Sequence, residues 1–258
     1  MCLIIFDWAP QTDKPLRLLS NRDEFHARPS QSAHNWQDEP HIYGGRDLEK
    51  QGTWLGISSR GRMACVTNYR EKNPREMPHS RGEIVRNFLN SSHTGLVFAN
   101  NLNSVQAKFP GFNALLFDGE QMIYSSNRSP DNFITLPPGI YGVSNHLLDT
   151  PWPKLVRAKR AFKAELSKSQ TSSNYDDMFR IMLDQNKAKR EELPQTGVPE
   201  DLELLLSSIF IRSPTYGTRT TTYLELTKEG VFYMEERNHT PSTEEASGTH
   251  AQINIKSA

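Results

Sequence analysis

Residues 2–25, CLIIFDWAPQTDKPLRLLSNRDEF, contain the pattern on which the prediction of the fold depends. Two apolar runs, at 2–8 and 16–20, are separated by a polar segment with two prolines, which is typical of two buried strands joined by a turn. If residues 2–8 pair with residues 16–22, the second strand ends beside the start of the first. The hairpin then brings Cys2 next to a polar cluster of four residues: Asn21, Arg22, Asp23 and Glu24.

Further strand patterns lie on both sides of a helical block. Hairpins are predicted at 53–69 and at 112–126, where Asp118-Gly119 marks the turn. Residues 26–52 show no sustained period and are predicted to form a long loop. The remaining strand predictions are GIYGVSN at 139–145, SIFIRS at 208–213, TTYLEL at 221–226, VFYMEER at 231–237 and an edge strand, AQINIK, at 251–256.

Five helices are predicted between these strand regions. Ser80 and Glu83 form a capping-box pattern before the apolar positions Ile84, Val85, Phe88 and Leu89. A second helix is expected near 95–108, and a short one at 202–206. A third helix is expected to begin at Thr150-Pro151 and to bury Leu155, Ala158, Phe162 and Leu166. Asn174 is expected to cap a fourth, with the stripe Tyr175, Met178, Phe179, Met182 and Leu183.

This order of elements predicts the class of fold. Antiparallel hairpins before and after a block of helices are typical of the α+β class, with helices packed on stacked antiparallel sheets. No internal repeat or domain boundary is visible, so we expect one domain over residues 1–258. Residues 238–250 are predicted to be a polar tail.

The composition argues against several classes of function. Lys and Arg number 30 and Asp and Glu number 30, so the net charge of zero gives no support for a nucleic-acid partner. No apolar run approaches the roughly 18 residues of a membrane-spanning helix. The start of the chain lacks the features of a signal peptide, so we expect a cytoplasmic protein. Its two cysteines make no disulfide framework, and no common metal or covalent haem motif is present, so no required cofactor is expected.

Cys2 is a candidate nucleophile because of its position. Removal of the initiator Met would leave a chain that begins with Cys, carrying a thiol and a free α-amine on one residue. An α-amine has a pKa of about 7.7–8.0 and can serve as a base for its own side chain. The alternative is that Cys2 is a buried apolar residue that opens a strand. Similarly, Arg22 and Asp23 could tune the thiol and hold the α-ammonium, or they could form a surface salt-bridge cluster.

Nine short strings, in order, resemble the NRDE family, also called the transport and Golgi organisation protein 2 family. The matching strings are MC at 1–2, NRDEF at 21–25, ARP at 27–29, QGTWLGIS at 51–58, TNY at 67–69, GFN at 111–113, YGVSN at 141–145, TPWPK at 150–154 and YGTRT at 216–220. The family in turn resembles the N-terminal nucleophile hydrolase superfamily. This resemblance implies a four-layer αββα sandwich, in agreement with the order of elements.

The resemblance also implies a set of site residues. In cysteine amidases of this superfamily, such as choloylglycine hydrolases and penicillin V acylases, an Arg-Asp pair on the second strand accompanies an N-terminal Cys. Arg22 and Asp23 match that pair, and Asn68, Asn145 and Arg219 are candidates for two oxyanion donors and a distal Arg. The alternatives are turn or cap roles for the two Asn residues and a structural salt bridge for Arg219. Such an enzyme would transfer an acyl group to Cys2.

A second function is implied by the same family, which is associated with haem mobilisation. We therefore expect a haem-trafficking protein that binds haem or another amphipathic molecule weakly and exchanges it with donor or acceptor proteins, with a cysteine amidase as the alternative. Candidate ligand-binding residues are Asn21, Glu24, Trp54 and His146, and Cys2 is a possible haem ligand. A basic helix side could contact haem propionates or an acidic partner, or could be a solvated face: Lys154, Arg157, Lys159, Arg160 and Lys163.

Overall fold

The strands in the described part of this chain form two antiparallel sheets. The computed structural model describes residues 2–72, 76–168, 175–240 and 247–255. The first sheet contains β1 (Cys2–Trp8), β2 (Leu16–Phe25), β10 (Gly139–Val143), β11 (Tyr216–Leu226), β12 (Val231–Asn238) and β13 (Ser247–Asn254), in the order β10-β1-β2-β11-β12-β13. The second contains β3 (Ser30–Asn35), β4 (Ile42–Asp47), β5 (Leu55–Ser58), β6 (Arg62–Asn68), β7 (Phe112–Phe117), β8 (Met122–Ser126) and β9 (Phe133–Thr135), in sequence order.

Helices cover the outer faces of both sheets. They are α1 (Arg81–Asn90), α2 (Gly95–Val105), α3 (Pro153–Leu166), α4 (Asp176–Ile181) and α5 (Glu200–Leu205). Apolar residues of α1 and α2 pack on the second sheet, and those of α3 and α4 pack on the first. A third apolar cluster lies between the two sheets. The four-layer αββα sandwich is therefore confirmed. None of the described helices has both the length and the apolar character needed to cross a membrane.

Strand β1 shows how the sequence produces this layering. Ile4, Phe6 and Trp8 belong to the cluster between the sheets, whereas Leu3 and Ile5 belong to the cluster under the helices. Side chains alternate across a strand, so a continuous apolar run fits a strand that is buried on both faces. The predicted hairpin is confirmed, with Cys2 opposite Arg22 and Trp8 opposite Leu16.

The prediction of a long loop at 26–52 is wrong, because β3 and β4 lie within it. β3 is short and polar, and the pairing with β4 shifts register between Gln31 and His34, so no two-residue period is visible. Two glycines in β4 conceal the pattern further. A Cβ on Gly44 would lie 2.7 Å from the Leu55 carbonyl oxygen, and one on Gly45 would overlap the Trp54 ring at 2.2 Å. These glycines are required for close packing.

The strand prediction at 208–213 is also wrong. Of these residues only Arg212 makes a bridge, an isolated pairing with Gly217, because the segment crosses from α5 to β11 as a bent connection. At the other end, Ser247–Asn254 form the edge strand β13, so part of the predicted tail at 238–250 is a strand. Its alternate side chains remain exposed, which is why the polar composition resembled a tail.

The helix predictions hold for α1 and need adjustment elsewhere. The Glu83 carboxylate accepts a 2.7 Å hydrogen bond from the Ser80 backbone N–H, and the four predicted apolar residues of α1 are buried. α3 begins at Pro153, two residues after the predicted proline, with Trp152 as the N-cap. Leu183 follows the end of α4 and is exposed. The predicted cap Asn174 lies outside the described residues.

Glu236 of β12 makes a contact between the two sheets that can be tested through the pH dependence of stability. It lies on the inner face of β12, is fully buried, and accepts a 2.8 Å hydrogen bond from the Ala33 backbone N–H of β3. Burial raises the pKa of Glu236 to about 7. Between pH 4.5 and 7 the folded protein therefore holds a proton that the unfolded chain releases, so stability falls as pH rises through this window.

We expect Glu236→Gln to flatten that part of the stability profile, since the amide keeps the acceptor and cannot ionise. The difference between pH 4.5 and pH 7 should shrink by about 3 kcal/mol, from 1.36 kcal/mol per pKa unit. Urea unfolding across this range measures it. Glu229→Gln, in the exposed turn before β12, is the control. An unchanged slope in Glu236→Gln would show that the carboxyl is ionised in the folded protein.

Candidate functional site

A cleft of about 440 Å³ opens where β1 and β2 meet the second sheet and the start of α1. Six of the predicted site residues line it: Cys2, Arg22, Asp23, Glu24, Trp54 and Asn68. Strands β1 and β2 bring Cys2, Arg22 and Asp23 together through their register, and the β5–β6 region of the second sheet supplies Trp54 and Asn68. The structure thus brings Cys2, Arg22 and Asp23 together, as the hairpin register predicts.

The Cys2 side chain is nearly buried at the floor of this cleft, with 7% of its surface exposed. Its carbonyl oxygen accepts a 3.3 Å hydrogen bond from the Ser144 hydroxyl, which joins the first residue of β1 to the residue that follows β10. Burial raises the pKa of the thiol, and the Arg22 guanidinium acts in the opposite direction. The second thiol, Cys65, is enclosed between the sheets, and burial raises its pKa as well. Only Cys2 reaches the cleft.

Asp23 is held by β11 and by the loop that precedes it. The Thr218 hydroxyl donates to Asp23 Oδ1 at 2.6 Å and accepts from the Ile211 backbone N–H at 2.9 Å, so its orientation is fixed. The Tyr216 hydroxyl donates to the Asp23 carbonyl oxygen at 3.1 Å. Burial raises the pKa of the Asp23 carboxyl, and the Lys154 ammonium opposes that shift.

Arg22 does not form an ion pair with Asp23, although the two residues are adjacent. Neighbouring side chains on a strand point in opposite directions. The Arg22 guanidinium lies 4.0 Å from the centroid of the Trp54 ring and donates to the Ser30 hydroxyl at 3.3 Å. Burial lowers its pKa. The interpretation of NRDE as a surface salt-bridge cluster is therefore wrong, because Arg22 and Asp23 are both buried and have separate partners.

Lys154 is the main residue that the sequence interpretation misplaced. The helix side predicted to be basic and exposed does not include it, because its side chain is 2% exposed and faces the interior with Leu155, Ala158 and Phe162. Its ammonium nitrogen lies 3.5 Å from Asn145 Oδ1. Burial lowers the pKa of Lys154 to about 8, and the negative charge of Asp23 opposes the shift. A buried cation thus stands behind the floor of the cleft.

Asn145 lies behind Asn68 and not on the cleft wall. Its Oδ1 accepts from the Ser144 hydroxyl at 3.1 Å and from Lys154, which fixes the amide so that Nδ2 donates to the Asn68 carbonyl oxygen at 3.3 Å. Asn145 is fully buried, whereas Asn68 is partly exposed and lines the cleft. The two Asn residues are therefore placed differently, with Asn145 supporting the backbone of Asn68.

Three other predicted residues lie away from the cleft lining: Arg219, Asn21 and His146. Arg219 occupies a β-bulge between the residues opposite Asp23 and Arg22, and its guanidinium donates to the carbonyl oxygens of Phe25 and Arg28. Asn21 points to the helical side. Its amide nitrogen donates to the carbonyl oxygens of Met182 and Ile209, at 2.8 and 3.0 Å. The Arg219 contacts hold the chain that follows β2, and the Asn21 contacts hold the segments that follow α4 and α5.

His146 also has structural partners. Its Nε2 lies 2.8 Å from the Tyr69 hydroxyl and its Nδ1 lies 2.9 Å from the Thr150 hydroxyl. Glu24 does line the cleft, where its carboxylate accepts a 2.9 Å hydrogen bond from the Phe25 backbone N–H. Within the described residues, no group of three or more His, Cys, Asp or Glu side chains is arranged to hold a metal ion.

A buried ion pair adjoins the floor of the cleft. Arg70, two residues after Asn68, pairs with Glu203 of α5, and its backbone N–H donates to the Asn145 carbonyl oxygen at 2.7 Å. The Arg70 guanidinium also lies 4.8 Å from the centroid of the Trp152 ring. This pair was not predicted, because the sequence separates its members by 133 positions. It couples α5 to the backbone that carries Asn145.

The family described as Transport and Golgi organisation 2 matches residues 1–241. The chain belongs to this family. The Transport and Golgi organization protein 2 homolog of Homo sapiens is 34% identical over 257 residues, which cover 92% of this chain and 93% of the human protein. The Transport and Golgi organization protein 2 of Drosophila melanogaster is 28% identical over 267 residues, which cover 93% of each. The resemblance predicted from the short motifs is confirmed.

A solved structure with a similar fold is that of the C2A mutant of the conjugated bile acid hydrolase from Clostridium perfringens. The TM-score is 0.54, and the match covers 96% of this chain and 92% of that chain. The expected N-terminal nucleophile hydrolase fold is therefore confirmed. Because the two chains are 9% identical, the likeness concerns the fold alone.

The environment of Cys2 predicts a thiol whose reactivity depends on Lys154. Iodoacetamide should label Cys2 and leave Cys65 unmodified, because only Cys2 reaches the cleft. Lys154 and the Cys2 thiolate attract each other. We expect Lys154→Met to slow labelling below pH 8 by up to about tenfold, equivalent to one pKa unit. Above pH 8 the difference should shrink, since Lys154 itself loses its proton.

Intact-mass measurement of labelling rate against pH tests this. Lys159→Met is the matched control, since Lys159 lies on the same helix and pairs with Asp149 at 2.6 Å near the surface. Equal labelling profiles for Lys154→Met and the unaltered protein would show that the buried ammonium has no influence on the thiol.

Proposed function

We propose that this protein is a cysteine hydrolase that cleaves an amide bond, with Cys2 as the nucleophile. The observation that carries the proposal is the convergence of Cys2, Asp23 and Asn68 on one cleft. A thiol, a buried carboxylate and a side-chain amide at one site are the groups that acyl transfer requires. The buried Lys154 supplies a fixed positive charge beside them.

The proposed reaction has two steps. The Cys2 sulfur attacks the carbonyl carbon of the amide while the Cys2 α-amine accepts the thiol proton. The α-ammonium then gives that proton to the leaving nitrogen, the C–N bond breaks, and a thioester remains on Cys2. Water attacks the thioester with the same α-amine as base, which releases a carboxylic acid and restores the thiol. The α-amine is free only when Met1 has been removed.

The surrounding residues have distinct proposed roles. Asn68 donates a hydrogen bond to the oxyanion, an interaction worth about 10²–10³ in rate. Asp23 holds the α-ammonium, the Thr218 hydroxyl orients that carboxylate, and the charge of Lys154 opposes the rise in its pKa that burial causes. Asn145 supports Asn68 from behind. The proposed location is the cytoplasm, where a free thiol stays reduced.

The experiment removes the thiol and the α-amine separately. The protein is incubated with a panel of fatty acyl amides, and the thioester on Cys2 is detected by intact mass spectrometry and released with hydroxylamine. We expect Cys2→Ala to form no adduct. A preparation that retains Met1, obtained by inhibiting methionine aminopeptidase, should keep the thiol and lose turnover.

The control for this experiment is Cys65→Ala, which removes the thiol that does not reach the cleft and should still form the adduct. Full turnover in the Met1-retaining preparation would contradict the role of the α-amine. Turnover in Cys2→Ala would contradict the proposal that Cys2 is the nucleophile.

The same cleft suggests a second candidate function, weak carriage of haem or another amphipathic ligand between donor and acceptor proteins. Its wall combines apolar side chains, including Trp54, Val66 and Met77, with arginine guanidiniums. Burial raises the pKa of the Cys2 thiol, which disfavours the thiolate form that would bind iron. Carriage is therefore proposed to depend on the cleft wall, without ligation by Cys2.

A haem titration followed by absorbance tests carriage. A carrier that releases its cargo should bind near the micromolar range, about 8 kcal/mol. We expect saturable binding with the same spectrum in the unaltered protein and in Cys2→Ala. A changed spectrum in Cys2→Ala would show that the thiol ligates iron. No spectral change at any haem concentration would exclude direct carriage.

A further inference from the structure

Two guanidinium groups that line the cleft have no carboxylate partner. Arg22 is 4% exposed, and Arg81, the first residue of α1, is partly buried. Within the parts of the chain that the structure describes, neither has a carboxylate oxygen within 4.0 Å; their protein partners are the Ser30 hydroxyl and the Gly111 carbonyl oxygen. A buried charge with neutral partners is costly. An anion entering the cleft would relieve that cost.

The third arginine of the cleft shows the contrast. Arg28 donates to Asp47 at 2.7 Å and also lies 3.4 Å from Glu49 and 3.9 Å from Glu24. Its charge is therefore already neutralised by the protein. Glu83 of α1 is also engaged, since its carboxylate accepts from the Ser80 backbone N–H and lies 2.9 Å from His79 Nδ1. Of the described arginines that line the cleft, Arg22 and Arg81 are the two without a direct ion pair, and Glu24 and Glu71 act on their charges only from a longer distance.

The fold holds Arg81 rigidly at the cleft. The Arg81 Nε donates to the Gly111 carbonyl oxygen at 2.7 Å, which leaves the two terminal nitrogens for another acceptor. The next residue, Gly82, packs against the 52–53 loop so closely that a Cβ on Gly82 would lie 3.0 Å from the Thr53 backbone nitrogen. The Thr53 backbone N–H also donates to the Gly82 carbonyl oxygen at 3.4 Å, which joins the first turn of α1 to the wall that carries Trp54.

We infer that the ligand of this cleft carries an anionic group, which Arg81 and Arg22 bind. A guanidinium presents paired N–H donors that match a carboxylate, and the positive end of α1 adds to the attraction. Val66, Met77 and Pro110 provide apolar surface in the same cleft. The substrate class is an amphipathic amide with a carboxylate, such as an N-acyl amino acid. The amide part rests on the proposed function, whereas anion binding does not.

The experiment measures binding separately from turnover. Isothermal titration of Cys2→Ala with N-lauroylglycine and with the uncharged N-lauroylglycinamide compares ligands that differ in one charge. We expect the carboxylate to bind about tenfold to a hundredfold more tightly. Adding Arg81→Gln should remove most of that preference and leave the affinity for the uncharged amide unchanged. Lauryl phosphate is a third ligand, which shows whether a phosphate competes for the same site.

Two matched variants keep the result interpretable. Arg81→Lys retains the charge and should keep part of the preference, which a simple loss of structure would not. Arg86→Gln changes another arginine of α1, which pairs with Glu39 at 2.8 Å, and should keep all of it. Equal binding of the charged and uncharged ligands would overturn the inference. So would a preference that survives Arg81→Gln.

The inference and the proposed function fail in different ways. Carboxylate preference in Cys2→Ala without any thioester in the unaltered protein would support the anion site and contradict the hydrolase. Thioester formation with no difference between charged and uncharged amides would support the hydrolase and overturn the anion site.

Discussion

The pairing of β1 with β2 is the constraint on which the rest of the structure depends. It places Cys2 opposite Arg22, and it is buried on both faces, between the second sheet on one side and the helices on the other. Side chains alternate along a strand, so a slip of one residue would exchange the two faces of β2. Asn21 would then leave its two carbonyl partners under the helices, and Arg22 would lose the Trp54 ring. The same register therefore fixes both the core and the floor of the cleft.

The buried charges at the floor of the cleft are stabilised by groups from other elements of the fold. Asp23 of β2 meets the Thr218 hydroxyl of β11 and the field of Lys154 from α3. Arg70, after β6, meets Glu203 of α5. Removing one member would leave a buried charge without compensation, which typically costs about 3–5 kcal/mol. The elements that supply these groups come from both sheets and two helices, so the floor exists only when the whole sandwich is assembled.

The sequence was sufficient to predict the hairpin, α1 and the layered class of fold, because each has a strong local signal. Continuous apolar runs identify strands buried on both faces, and a capping box followed by one apolar face identifies a helix. Local signals failed where packing decides the structure. β3 and β4 are short, polar and interrupted by a register shift, and Gly44 and Gly45 are explained only by the neighbours they approach. Lys154 resembled the four other cations predicted on the helix surface. It lies four residues before Ala158, however, and this helical spacing, which places it on the buried stripe, was the sequence signal for its burial.

The difference between Arg22 and Lys154 explains how one cleft can hold both the proposed nucleophile and the proposed anion-binding group. Lys154 is sealed behind the floor, in contact with Asn145 and in the field of Asp23, so its charge acts on the protein's own groups. Arg22 lies on the cleft side, stacked on Trp54, and meets only a hydroxyl. A cation behind the floor can tune a nucleophile without attracting ligand anions to it, whereas a cation that lines the cleft can bind an anion without direct contact with Asp23. The alternation of side chains along β2 separates these two tasks, because adjacent residues of one strand face different partners.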